Sequence, residues 1–123
     1  MNNDKITILY VDDEPINLML FELNFKSKYN ILIAENAHEG TKILKNNPSI
    51  PIVISDLKMP EINGITFLKN VKSSYPKCSC FLLTGFDITP EIQEAIEEKI
   101  IIKYLSKPFI TKEIIEAIET ALN

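Results

Sequence analysis

Five short apolar runs, each ending abruptly at a polar residue, constrain this chain more than any other feature. They occupy residues 6–11, 30–34, 50–55, 80–83 and 100–105. They are rich in Ile, Leu and Val and lack the polar alternation of a half-exposed strand, so they read as strands covered on both faces. Stretches with apolar residues at helical spacing separate them. Leu18, Phe21, Leu23 and Phe25 mark a first helix that ends near Lys28, and Pro15 suits its first turn with Asp13 or Glu14 at its positive end. Asn36 caps a second helix through Leu44, which Asn46-Asn47-Pro48 stops. After the loop chemistry of residues 59–64, Ile65, Phe67, Leu68 and Val71 begin a third. Thr89-Pro90-Glu91 opens a fourth with Ile92, Ala95 and Ile96, and Thr111 caps a last one with Ile114, Ile115, Ile118 and Leu122 on its apolar side. Strands alternating with helices in this way predict an α/β fold: a doubly wound, five-stranded parallel sheet between two layers of helices. With 123 residues, the chain is expected to form one domain over 1–123.

Composition narrows the function classes. Hydrophobic residues make up 46% and charged residues 24%, which excludes a disordered chain, a collagen-like fibre and a disulfide scaffold. No apolar run approaches the ~20 residues of a membrane helix. The opening Met-Asn-Asn-Asp-Lys has no signal-peptide core, so a cytoplasmic location without membrane attachment is expected. All 13 basic residues are lysine, and the net charge is −4. Arginine supplies the bidentate fork for guanine edges and phosphates, so an acidic domain without it is not expected to bind nucleic acid directly. Cys78 and Cys80 would point the same way along a strand, where a disulfide between them is strained, and they are read as reduced. The arginine-free composition, rich in Ile, Lys and Asn, suggests an AT-rich bacterial genome.

In a parallel sheet of this kind the ligand site lies beyond the C-terminal ends of the strands. Asp12 and Asp13 follow the first run, Asp56 the third, Thr84 the fourth and Lys107 the fifth. If those strands are central, the five side chains converge on one edge. Three carboxylates together repel one another, and a divalent cation relieves that cost. Hard oxygen ligands with room for water suit Mg²⁺. A lysine beside them can pair with phosphate oxygens, and a threonine hydroxyl adds a donor. Such a set suits a phosphoryl group, with one Asp as nucleophile.

These residues carry a family resemblance. Asp12-Asp13-Glu14-Pro15, Asp56-Leu57-Lys58-Met59-Pro60 with Gly64, Thr84-Gly85, and Tyr104-Leu105-Ser106-Lys107-Pro108-Phe109 stand in the order and spacing of the receiver domain of two-component response regulators. The chain resembles that family over essentially its whole length. The resemblance implies strand order 2-1-3-4-5 and phosphorylation of Asp56 by a sensor histidine kinase, a phosphotransfer protein in a phosphorelay, or a small acyl phosphate. It implies that Asp13 and Asp56 bind Mg²⁺ by their side chains, Asp12 through water and Lys58 by its backbone carbonyl. Lys107 would pair with the phosphoryl oxygens, and its bond to Pro108 would be cis. Thr84 and Tyr104 would form a switch pair, repacking on phosphorylation and changing the face around the last strand and helix. That face would regulate a separate output protein or a fused output domain, or serve a homodimer. The protein would not be an enzyme beyond accepting its own phosphoryl group and losing it slowly. Lys58 and Phe86 flank the path of attacking water in the family, and neither orients it, so slow self-dephosphorylation is expected.

The sequence departs from the family's common form at residues 98–101, Glu-Lys-Ile-Ile, where a Gly-Ala pair is frequent, so the start of the last strand is not fixed by motif. Other chemistry fits less well. An aspartate-nucleophile phosphatase needs Asp-x-Asp after its first strand, whereas the acids here are adjacent. A flavodoxin needs a hydroxyl- and glycine-rich phosphate loop there, and the P-loop motif is absent. A receiver-like module that binds partners without phosphorylation remains the alternative. His38, the only histidine, reads as a surface residue, and a single histidine builds neither a metal cluster nor a triad.

Overall fold

The computed structural model describes residues 5–85 and 87–123. The opening residues 1–4 and Phe86, on which the signal-peptide and dephosphorylation readings partly rest, lie outside the described residues. The elements alternate along the chain. They are β1 (Thr7–Val11), α1 (Pro15–Phe25), β2 (Asn30–Ala34), α2 (Ala37–Asn46), β3 (Ile52–Ser55), α3 (Gly64–Ser74), β4 (Ser79–Thr84), α4 (Pro90–Glu97), β5 (Lys103–Ser106) and α5 (Thr111–Leu122). All four strand pairings are parallel, in the order β2-β1-β3-β4-β5.

Alternation along each strand divides the core in two. Leu9, Val11, Val53, Cys80 and Leu82 point into one layer, where they meet Leu44, Phe67, Leu68, Val71 and Ile92 from α2, α3 and α4. Ile8, Tyr10, Ile52, Ile54, Phe81 and Leu83 point into the other, against Leu18, Phe21 and Phe25 of α1 and Ile114, Ala117 and Ile118 of α5. Cys78 and Cys80 are free thiols, both buried in the first layer. His38 is exposed. Among the described residues, no helix is long and apolar enough to cross a membrane.

Helix starts are capped as expected at Asn36 and Thr89, and Asn63, read only as part of a loop, caps α3 in the same way. The side chains of Asn36, Asn63 and Thr89 accept the backbone N–H groups of Glu39, Thr66 and Ile92. Three expectations are corrected. Thr111 is the first residue of α5 rather than its cap; Ile110 precedes the helix and offers no side-chain acceptor. Residues 100–102 belong to the connection before β5. Lys99 takes a left-handed backbone with φ 62°, and the Ile100 and Ile101 N–H groups both turn back to the Ala95 carbonyl, which closes α4 instead of starting a strand. Leu23 and Leu122, assigned to inward faces, are exposed. In α1 only Leu18, Phe21 and Phe25 fall on the buried line, and Ile16, Met19, Leu20 and Leu23 are left on the outside.

Register sets the site. Val11 pairs with Ser55 across β1 and β3, so Asp12 and Asp56 emerge at the same height. Thr84 pairs with Ser106, which puts Lys107 one residue beyond. The Lys107–Pro108 peptide bond is cis. The loop after β3 is closed by Gly64, whose N–H donates to the Leu57 carbonyl at 2.7 Å. A Cβ at Gly64 would lie 2.0 Å from the Asp56 carbonyl oxygen, a backbone atom that cannot swing aside. Gly64→Ala is therefore expected to destabilise the fold by about 1–3 kcal/mol through overpacking. Thermal unfolding followed by circular dichroism would measure it, and an unchanged midpoint would mean the loop relaxes at no cost.

Candidate functional site

Backbone hydrogen bonds fix the strand ends that carry the site. The Asp12 N–H donates to the Ala34 carbonyl at 3.1 Å, and the Asp56 N–H to the Val11 carbonyl at 2.8 Å. The buried Ser55 hydroxyl donates to the Asp56 carbonyl at 2.8 Å. The Lys107 N–H donates to the Thr84 carbonyl at 2.8 Å, which ties the end of β5 to the end of β4. The two acids and the lysine thus leave rigid strands at one edge of the sheet.

There the chain brings three carboxylates together. Oxygens of Asp12, Asp13 and Asp56 all lie within 4.8 Å of one another. Asp12 is fully buried, Asp56 nearly so, and Asp13 is exposed. Lys107 Nζ lies 2.8 Å from Asp12 Oδ2 and 3.4 Å from Asp56 Oδ1, so one ammonium bridges two acids. Asp12 Oδ1 accepts the Glu14 N–H at 3.0 Å, which orders the entry to α1. Asp56 Oδ1 accepts the Leu57 N–H at 2.8 Å.

Burial pushes the Asp56 carboxyl above the ordinary aspartate range, and the charge of Asp12 adds to this. Lys107 and the Leu57 N–H oppose it. An acid whose charged form is disfavoured gains from any cation that joins the cluster. The donor set is three carboxylates with an open side at Asp13, the hard-oxygen chemistry of Mg²⁺ rather than of a soft metal.

The remaining sequence candidates lie around this cluster. Thr84 is fully buried at the end of β4. Tyr104 is half-buried in β5, paired with Leu82, and it packs against the layer formed with α4. Lys58 stands exposed in the loop after Asp56.

One residue of the site escaped the sequence reading. Tyr10 lies in an apolar run and reads as core, and its ring is indeed buried. Its hydroxyl, however, donates to Asp12 Oδ2 at 2.5 Å. Burial raises the tyrosine's pKa far above its usual value, and the bond to Asp12 and the charges of Asp12 and Asp56 act in the same direction. The signal was present in the spacing: residues two apart on a strand share a face, so a tyrosine two before a strand-end acid can reach it.

Comparison with known proteins agrees with this geometry. The family model described as response regulator receiver domain matches residues 8–119. The chain is 30% identical over 123 residues to the transcriptional regulatory protein GlrR of Escherichia coli, covering 99% of this chain and 27% of that protein. It is 25% identical over 122 residues to the hydrogenase transcriptional regulatory protein HoxA of Cupriavidus necator, covering 99% of this chain and 25% of that one. It therefore spans about a quarter of the length of these relatives. Among solved structures, a response regulator receiver domain protein from Clostridium thermocellum superposes with a TM-score of 0.85 at 30% identity, covering 96% of this chain and 94% of that one. The signal receiver domain of an HD domain-containing protein from Pseudomonas fluorescens gives 0.88 at 29%, covering 99% and 90%. A match over most of the chain, the five-stranded order and the strand-end acids agree, and the chain belongs to the response regulator receiver domain family.

Proposed function

We propose that this chain is a phosphorylation-dependent signalling switch, residues 1–123 acting as one receiver domain that accepts a phosphoryl group on Asp56. The observation that carries the reading is the single ammonium of Lys107 held between Asp12 and Asp56. A cation shared by two acids is placed to follow a new anion formed on either of them. Asp56 has the role of acceptor because its carboxylate keeps some exposure and holds Lys107 only at 3.4 Å, whereas Asp12 is fully buried with donors on both oxygens. An Asp56 oxygen forms a P–O bond as the donor's P–N or P–O bond breaks, and the electron pair leaves with the donor's imidazole or carboxylate. Lys107 then pairs with the phosphoryl oxygens.

Asp13 and Asp56 would hold Mg²⁺ by their side chains, Asp12 through water and Lys58 by its carbonyl. The ion supplies charge neutralisation to the acids and the incoming phosphoryl group. In our reading the Thr84 hydroxyl turns toward a phosphoryl oxygen and Tyr104 moves inward behind it. This changes the face formed by α4, β5 and α5. The chain is a switch rather than an enzyme with turnover, and it works in the cytoplasm with a histidine kinase or phosphotransfer protein.

We assign the donor protein to the exposed Ile16, Met19, Leu20 and Leu23 on α1, because an apolar face beside the site suits a transient protein contact. The length and names of GlrR and HoxA favour a fused or separate output that regulates transcription. The edge position of β5 leaves its outer side available for a homodimer.

Intact mass after incubation with acetyl phosphate and Mg²⁺ tests the acceptor. The parent is expected to gain one phosphoryl group, while Asp56→Asn and parent treated with EDTA gain none. Failure with acetyl phosphate and with candidate kinases alike would favour partner binding without phosphorylation.

The raised carboxyl of Asp56 has a separate, pH-dependent consequence. Its contribution to stability is full below the unfolded-state value of about 3.9 and is lost as pH rises through the higher folded value. In metal-free protein at pH 7, Asp56→Asn should therefore melt above the parent, and the gap should close as pH falls toward the unfolded value. Added Mg²⁺ should raise the parent's midpoint more than the variant's. A parent that is the more stable of the two at pH 7 without metal would contradict this account.

A further inference from the structure

Asp12 is fully buried, and its Oδ2 receives two side-chain donors, the Tyr10 hydroxyl at 2.5 Å and Lys107 Nζ at 2.8 Å. Its Oδ1 receives the Glu14 N–H at 3.0 Å. The tyrosine has little freedom to aim elsewhere. Its ring is buried and stacks on Phe21 with centroids 4.2 Å apart and planes 19° from parallel. Phe21 in turn packs on Phe25 and Phe109. The phenol is thus a fixed donor, and Lys107, on a flexible stem and partly exposed, is the movable one.

We propose that Tyr10 is a positioning residue for phosphoryl transfer: its hydroxyl stays on Asp12 Oδ2 when Lys107 leaves for the phosphoryl group. The inference rests on the reading of Asp56 as the acceptor. Lys107 lies 2.8 Å from Asp12 Oδ2 and 3.4 Å from Asp56 Oδ1, so a phosphoryl group on Asp56 draws it away from Asp12. Leaving would strip a buried carboxylate of a donor, which is costly unless another remains in place. The tyrosine is that second donor. By sharing the charge on Oδ2 it also weakens the Lys107–Asp12 attraction and lowers the pull of the cluster on a divalent cation.

Removal of the hydroxyl should therefore move two measurements in opposite senses. Metal should bind more tightly, because the acid cluster is less compensated. Transfer should be slower, because Lys107 is held back. A phenol that only fills the core would change neither, and one that only props the strand would weaken both.

Tyr10→Phe keeps the ring on Phe21 and deletes one oxygen, and circular dichroism verifies that the variant folds. Calorimetric titration of Mg²⁺ into metal-free parent and variant gives the affinity. Intact mass against time with acetyl phosphate, at Mg²⁺ saturating for each protein, gives the transfer rate. The expected result is a Kd for Mg²⁺ lower by about 3- to 10-fold with a transfer rate lower by about 3- to 10-fold, less than the full effect of a hydrogen bond to a charged group because Lys107 and the Glu14 N–H still serve Asp12. Any other pairing overturns the proposal, including unchanged values or weaker metal binding with slower transfer. A parent that takes up no phosphoryl group defeats the acceptor reading itself, a result distinct from a phosphorylated parent that the variant merely equals.

Discussion

The buried charge of Asp12 is the constraint around which the rest of the site is arranged. A carboxylate without solvent is tolerated only when its oxygens are filled. Here they are filled by three donors from three places: Tyr10 in the same strand, Glu14 at the start of α1, and Lys107, 95 residues away in sequence. The last of these is the one that spans the fold. It ties the end of β5 to the end of β1, across β3 and β4, and it also lies on Asp56. Without that ammonium the two acids would face each other at a closed edge, and their repulsion would fall on the loops that carry them.

Parallel pairing makes the cluster possible. In an antiparallel sheet neighbouring strands end at opposite edges, and Asp12 and Asp56 would be separated by the length of a strand. With Val11 opposite Ser55, both acids leave the sheet side by side, and β4 and β5 bring Thr84 and Lys107 to the same edge. The apolar runs therefore do more than fill two core layers. Their common direction gathers residues far apart in sequence at one place.

This is also why so much of the site was legible in the sequence. Each apolar run stops where its strand stops, so reading the first polar residue after each run amounts to reading the edge of the sheet. Asp12, Asp56 and Thr84 come out of that reading directly, and Lys107 follows one residue after Ser106. The features that escaped are those that depend on three-dimensional packing. Tyr10 carries both a ring that belongs to the core and an oxygen that belongs to the site, and hydropathy reports only the first. The outward face of α1 is as apolar as its inward face, so periodicity could not tell which residues the sheet would cover. The first turns of α5 and β5 depend on where the preceding backbone turns, at Ile110 and at the left-handed Lys99, and neither residue announces that role by its side chain.

A site held together by a cation shared between acids is balanced rather than simply stable. The burial that raises Asp56 also raises the value of any positive charge that enters the cluster. If Asp56 becomes the anion, the ammonium has a reason to move, and the hydroxyl of Tyr10 gives Asp12 a partner when it does. Lys107 is continuous with Pro108 and Phe109. Phe109 packs on Phe21 and Phe25, and the Tyr10 ring stacks on Phe21. A shift of Lys107 would therefore reach two structures at once: the β4–β5 edge with Thr84 and Tyr104, and the aromatic cluster beneath α1. Which of the two responds is decided by packing density. The rings of Tyr10, Phe21 and Phe25 are buried and interlocked, whereas Tyr104, like Phe109 at the rim of the cluster, is only half-buried, and a half-buried ring at a sheet edge has somewhere to go.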